Sequence, residues 1–184
     1  MSKKLNILDY IDDFVISPIR YDTDVSYFKS DGGDIYTSFL TNNAKNTDAS
    51  KITKTYLFQK KSANNEIYGY FAILTDSIEI SRDIRPKDIP EFMTLAGAIQ
   101  IYQLAASEKC VKEYNHIVEY IVRNVKAIVL SLRNRINIRY ITLYADEECG
   151  NKNIVKIYEK AGFKHFPNSS SPETVLMFYD IGSN

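Results

Sequence analysis

The residues in this chain best suited to chemistry cluster in two short runs. The first is NKNIVKIYEKAGF, from Asn151 to Phe163. It reads as an amphipathic helix stopped by a glycine, with one tyrosine, Tyr158, on its apolar stripe. A tyrosine there buries its ring and keeps its hydroxyl at the edge, where it either packs or donates a proton. Asn151, seven residues earlier, is a natural helix N-cap and also an amide able to hydrogen-bond a ligand. The second run is SEKCVKEYNHIVEY, from Ser107 to Tyr120. It offers Cys110 and His116 near a helix start, Lys109 and Lys112 as cations, and Glu108 and Glu113 as opposing charges. A helix start lowers a thiol's pKa, but no base stands next to Cys110 in sequence, so an inert cysteine is expected. His116 is expected to be a solvated helix histidine and His165 an exposed one.

These runs need elements to hold them. Residues 5–15 suit a short helix or a strand start, limited by Pro18. DGGD at 31–34 is a turn, followed by Ile35, Phe39 and Leu40 at helical spacing. KTYLFQKK at 54–61 is strand-like, and Asn64-Asn65 turns the chain into a long strand from Ile67 to about Ile80. AIQIYQLAA at 98–106 is apolar on both faces, as a central strand would be. A single helix is expected from about Glu113 to Arg133, with Ile117, Ile121, Val125, Ile128 and Leu132 on its stripe. A strand at 138–145, the helix ended by Gly162, and a last strand from Thr174 follow. The connection through the long helix is long enough for parallel strands, whereas the last is short and implies an antiparallel return.

The 184 residues suit one domain, taken here as 1–184, with 23 Lys+Arg against 23 Asp+Glu. A zero net charge argues against a nucleic-acid binder held by bulk charge but permits a local patch, for which Arg123, Lys126, Arg133 and Arg135 are candidates. Cys110 and Cys149 lack metal-ligand spacing, so no metal is expected. The start carries Asp9, Asp12 and Asp13 where a leader would be apolar, and no run is long enough for a membrane span. A soluble cytoplasmic protein with no membrane partner is the expectation.

Asn151, the short apolar helix, Tyr158-Glu159-Lys160 and Ala161-Gly162-Phe163 together resemble a motif of the GCN5-related N-acetyltransferase superfamily. The likeness runs from about Phe28 to Tyr179. FKSDGGDIYTSFLTNNAK and YGYFAILTDSI resemble its branch of small toxins that acetylate tRNA. The resemblance implies an α/β (α+β) fold: a mixed, mostly antiparallel sheet with a splayed central parallel pair and about four helices. It implies transfer of an acetyl group from acetyl-CoA to an amine, with aminoacyl-tRNA as one acceptor class and a homodimer as one assembly. The implied proton donor is Tyr158. The pantetheine arm would lie along Leu104, Ala105 and Ala106, with amides near Leu104 facing the oxyanion and Asn151 beside the arm. The diphosphate would meet Lys112, Tyr114 and Asn115 at the helix start.

One part departs from the pattern. Where the superfamily has small residues around the diphosphate, this chain has Tyr114 and His116, with Val111 at the Gln/Arg position and no glycine in the loop. That predicts a weakened or altered hold on the cofactor. Three readings remain open on the sequence: an active N-acyltransferase, a degenerate acetyltransferase fold acting as a binding or regulatory module, and an unrelated α/β domain in which Tyr158 only packs. Asp76, Ser77 and Glu79 are candidates for a general base or, more simply, a polar strand end.

Overall fold

β-branched and aromatic residues recur along the strands of this protein. In this computed structural model, which describes residues 4–63, 66–133, 135–146, 153–170 and 174–182, the strands are β1 (Leu5–Asn6), β2 (Phe14–Pro18), β3 (Lys54–Lys60), β4 (Glu66–Glu79), β5 (Leu95–Ala106), β6 (Tyr114–Asn115), β7 (Tyr140–Asp146), β8 (Lys164–Ser170) and β9 (Thr174–Asp180). The helices are α1 (Asp34–Ser38), α2 (Ala44–Ala49), α3 (Glu108–Glu113), α4 (Ile117–Arg133) and α5 (Ile154–Lys160), with a π-helical turn, Phe39–Asn43, carrying α1 into α2. Taking 34–49 as one helical run, the described residues hold four helices.

The main sheet has seven strands in the order β2-β3-β4-β5-β7-β9-β8, and β1 pairs with β6 in a separate two-stranded ladder. β2–β3, β3–β4, β7–β9 and β8–β9 are antiparallel, and β5–β7 is parallel. The parallel register runs from Ala98↔Tyr140 to Ile101↔Leu143 and stops there, although β5 continues to Ala106 and β7 to Asp146. The expected fold class, with its central parallel pair and antiparallel return, is therefore the observed one.

The chain divides into two compact units, 1–73 with 102–124, and 74–101 with 125–184. In the first, Val25, Phe28, Phe39, Leu40, Leu57 and Tyr70 pack around Ala105. Each large apolar side chain buried there contributes about 1.5–3 kcal/mol. Tyr70 keeps its hydroxyl satisfied by donating to the Tyr36 carbonyl at 2.7 Å. Gly69 is required by close approach, since a Cβ there would lie 2.7 Å from the Ala105 carbonyl oxygen. In the second unit Ile78, Ala98, Tyr140 and Phe178 form the core. Arg139 holds its edge, with Nη1 donating to Asp88 at 2.6 Å and Nη2 to Asp180 at 3.0 Å.

Four expectations are corrected. The long helix does not begin at Glu113: α3 ends there, Tyr114 and Asn115 form β6 against Leu5 and Asn6, and α4 starts at Ile117. The competing interaction is that ladder, which draws the backbone into an extended conformation that hydrophobic periodicity does not reveal. Lys164–Ser170 is a strand in its own right rather than a lead-in to the last one, because it finds β9 as a partner. Residues 5–15 are neither one helix nor one strand but β1, a 3-10 turn over Ile7–Asp13 and the start of β2. Ile35 does not join the apolar stripe of its helix; it is exposed, while Phe39 and Leu40 are buried. The Asn64-Asn65 turn lies outside the described residues.

Candidate functional site

In the first unit the relevant residues run from β5 through α3 to the start of α4. Leu104 is half-buried, and Ala105 and Ala106 are buried. The Ala106 carbonyl accepts from Asp31 N–H at 3.0 Å, Ser107 N–H donates to the Tyr68 carbonyl at 2.9 Å, and Glu108 N–H donates to the Lys29 carbonyl at 3.0 Å. The 29–31 loop thus already satisfies part of the backbone at the end of β5. Ser107 caps α3, its hydroxyl accepting from Cys110 N–H at 3.1 Å. Cys110 is fully buried, and burial pushes its thiol pKa up.

The charges on α3 are spent on one another and on neighbours. Lys109 pairs with Glu66 at 2.5 Å and Lys112 with Glu108 at 3.7 Å. Glu113 accepts from the Tyr68 hydroxyl at 3.0 Å and pairs with Lys60 at 3.4 Å. Tyr68 reaches it because the β3–β4 register shifts between Phe58 and Gln59, leaving Tyr68 as the extra residue of a bulge, and bulges re-aim side chains. Burial raises the Tyr68 pKa, and the Glu113 carboxylate adds to that. A cleft of about 400 Å³ opens beside α3, lined among others by three lysines (Lys29, Lys109, Lys112) and three glutamates (Glu66, Glu108, Glu113). Its wall is close to electrically balanced and is no funnel for anions.

The residues that break the glycine pattern behave differently from each other. Tyr114 does not crowd the loop. It is 3% exposed, its ring 5.5 Å from that of Phe14 and beneath Lys60 Nζ at 5.2 Å. Asn115 is exposed on β6, opposite Asn6. His116 takes φ +61°, a left-handed conformation that a non-glycine residue adopts at a cost of about 1–2 kcal/mol. Its Nδ1 lies 3.3 Å from the Glu119 carboxylate. The turn the resemblance expects small residues to make is made here by a histidine. It delivers the chain into α4, whose first-turn amides have no acceptor within their own helix.

This bears on whether a diphosphate fits. Three amides at the head of α3 are committed: Glu108 N–H donates to the Lys29 carbonyl, Cys110 N–H to the Ser107 hydroxyl and Val111 N–H to the Ser107 carbonyl. The left-handed turn and the start of α4 offer further donors for an anion. Lys112 can turn toward an anion only by leaving Glu108, and because that pair is exposed the exchange costs little.

In the second unit Tyr158 lies on α5, 6% exposed, its ring 5.9 Å from Phe163 in an edge-to-face contact. Gly162, at φ +89°, ends the helix as its sequence position predicts. The residue at the N-cap is Asn153, without a side-chain cap bond, and Asn151 lies outside the described residues. His165 is exposed and 2.9 Å from Glu159. Asp76 is tied at both oxygens, accepting from Ser77 N–H at 2.7 Å and from the buried Thr142 hydroxyl at 2.8 Å. Of the four basic residues proposed as a patch, two have carbonyl partners. Lys126 donates to the Ala161 carbonyl and Arg133 to that of Ile181, the latter at 2.9 Å. The engagement of Lys126 carries no sequence signal, because its partner lies 35 residues away. Among the described residues, no group of three His, Cys, Asp or Glu side chains could hold a metal ion, and no helix is long and apolar enough to cross a membrane.

The fold is like that of the GCN5-related N-acetyltransferases and is shared with solved structures of bacterial toxins. Among the structures it resembles are those of AtaT and KacT. AtaT complexed with acetyl-methionyl-tRNA is 18% identical with a TM-score of 0.74, over 93% of this chain and 96% of that one. A tyrosine-to-phenylalanine variant of KacT is 19% identical with a TM-score of 0.75, over 93% and 96%. A tyrosine-to-phenylalanine variant of AtaT bound to acetyl-CoA and the C-terminus of the antitoxin AtaR is 16% identical with a TM-score of 0.72, over 94% and 96%. No family profile and no curated protein matches the chain.

Proposed function

We propose that this protein is an N-acetyltransferase that moves an acetyl group from acetyl-CoA to an amine, and that the amine is the α-amino group of an aminoacyl-tRNA. The observation that carries the reading is the backbone at His116. A left-handed, non-glycine turn at the head of α4 is costly as a mere joint between helices, and such outliers persist where function needs them. It also stands where the resemblance puts the diphosphate loop. The acceptor class is supported by the likeness of fold to AtaT, which has been solved complexed with acetyl-methionyl-tRNA.

When bound, acetyl-CoA supplies an activated acetyl thioester. The first-turn amides of α4, with the turn at Asn115 and His116, would hold its diphosphate, and Lys112 would add a cation once released from Glu108. Leu104 and Ala105 offer backbone groups to the pantetheine arm, and an amide near Leu104 supports the developing oxyanion. Ala106, its carbonyl engaged by Asp31, contributes less. Asn151 is proposed to hydrogen-bond the arm. The amine nitrogen bonds to the acetyl carbon as the carbon–sulfur bond breaks. Tyr158 would give its phenolic proton to the departing thiolate, water would take the proton lost by the amine, and solvent would return a proton to the phenolate, leaving the enzyme as it began. One protein molecule of 184 residues acts as a single catalytic domain in this scheme.

A second reading, a binding module without catalysis, is favoured by the balanced charges around α3. Titration of acetyl-CoA separates the two. An enzyme given cofactor at 100 times its dissociation constant gains about 2.7 kcal/mol of stability, seen as a raised melting temperature. No shift at millimolar acetyl-CoA supports the binding module and removes the enzyme.

A further inference from the structure

The C-terminal end of α5 carries a feature that the proposed chemistry does not use. Lys126, on α4, donates to the carbonyl of Ala161, the residue that closes α5. Its ammonium lies 3.5 Å from the ring centroid of Tyr179 and 5.4 Å from that of Phe163. A cation at the C-terminal end of a helix meets the negative pole of the helix dipole and unpaired carbonyls. Aromatic faces add cation–π attraction. Half-burial pulls the ammonium pKa down from its usual value, so the site carries a desolvation cost that these contacts offset.

The contacts continue to Tyr158. Phe163 N–H donates to the Tyr158 carbonyl at 3.0 Å, and the two rings meet edge to face at 5.9 Å. Gly162 stands against the same cluster: its φ of +89° disfavours any other residue, and a Cβ there would press on the Tyr179 ring at 3.2 Å. Phe163 links the lysine to the tyrosine.

We infer that Lys126 is a positioning residue: it clamps the C-terminal end of α5 and, through Phe163, fixes the orientation of Tyr158. The assignment rests on the reading of Tyr158 as the proton donor, and the two can fail separately. Lysine suits the task because a single compact ammonium serves one carbonyl and two rings at once, where a neutral side chain of similar length serves only the packing.

The test compares Lys126→Met, Lys126→Arg, Tyr158→Phe and the double variant Lys126→Met/Tyr158→Phe in the full chain. Hydrogen exchange is read on α5, with α1 as internal reference, together with kcat and KM for acetyl-CoA. The expected result is exchange at least tenfold faster in α5 alone for Lys126→Met. Its kcat falls about tenfold or more with KM within twofold, and Lys126→Arg recovers part of both. The double variant is no slower than Tyr158→Phe alone, since residues acting through one group are not additive. Unchanged exchange in α5, or losses that multiply in the double variant, overturns the assignment. Faster exchange in α5 alongside a fully active Tyr158→Phe leaves the clamp standing and removes the proton donor instead. If Lys126→Met does not fold, Lys126→Gln replaces it: faster exchange in α5 alone together with a lower kcat supports the clamp, and a kcat loss without an exchange change, or no change in either, overturns it.

Discussion

At the scale of single residues, Tyr158 and Cys110 make contrasting claims. A phenol that protonates the leaving thiolate contributes to the rate and not to cofactor binding. Tyr158→Phe is therefore expected to lower kcat about a hundredfold or more, within the usual range for general acid catalysis, with acetyl-CoA affinity unchanged. Equal turnover in steady-state assays would leave Tyr158 a packing residue against Phe163. Cys110 is a nucleophile by type and inert by environment. Its folded pKa is raised by burial, so folding favours the neutral thiol. Stability from this group is complete below the unfolded thiol's pKa of about 8.5 and is lost as pH rises above it. In a Cys149→Ser background, Ellman's reagent at pH 8 should label the thiol only after denaturant is added, and fast labelling of the native protein would contradict its burial.

The joint between β5 and α4 is the element-scale question. The 3.6-residue stripe predicts one long helix from about Glu113, and the chain instead ends α3 there, makes a short extended segment and turns at a left-handed histidine before α4. If His116 bears a conformational penalty for the sake of the turn, glycine should relieve it. His116→Gly is expected to raise unfolding stability by about 0.5–1 kcal/mol in urea titrations, after the loss of its contact with Glu119 and the added freedom of glycine in the unfolded chain. Acetyl-CoA should bind the variant at least as tightly. A clear destabilisation would mean that the imidazole, not the turn, is what the position requires. The same joint sets the state of Lys112: its charge is visible in the sequence, while its pairing with Glu108 depends on α3 being helical, which brings residues four apart together.

For the whole molecule, the proposed aminoacyl-tRNA acceptor has to be reconciled with zero net charge and committed cations. Lys126 and Arg133 are engaged with carbonyls, whereas Arg123 and Arg135 are exposed. Two phosphate contacts give a shallow salt dependence, and tRNA affinity should fall only about tenfold between 50 and 200 mM salt. A drop of a thousandfold or more in a filter-binding series would show a larger basic surface than these two arginines. Mass spectrometry after incubation with acetyl-CoA and charged tRNA should find the acetyl group on the aminoacyl nitrogen. Uncharged tRNA should remain unmodified.

The sequence alone determined the order and kind of most elements. β-branched and aromatic residues marked β3 and β4, an apolar run on both faces marked β5, the 3.6-residue stripe marked α4, and glycine marked the end of α5, since these are local signals written within a few residues of where they act. It also supplied the tyrosine and its motif, and with them the fold class. Tertiary structure alone decided the rest. β6 exists because β1 lies beside it, and β8 because β9 does. Tyr114 turns inward to a cluster of rings contributed by β2 and β4. Lys126 leaves the solvent face for a carbonyl 35 residues downstream. Each of these outcomes is a contact between distant parts of the chain, whose free energy outweighs a local preference worth a fraction of a kcal/mol per residue.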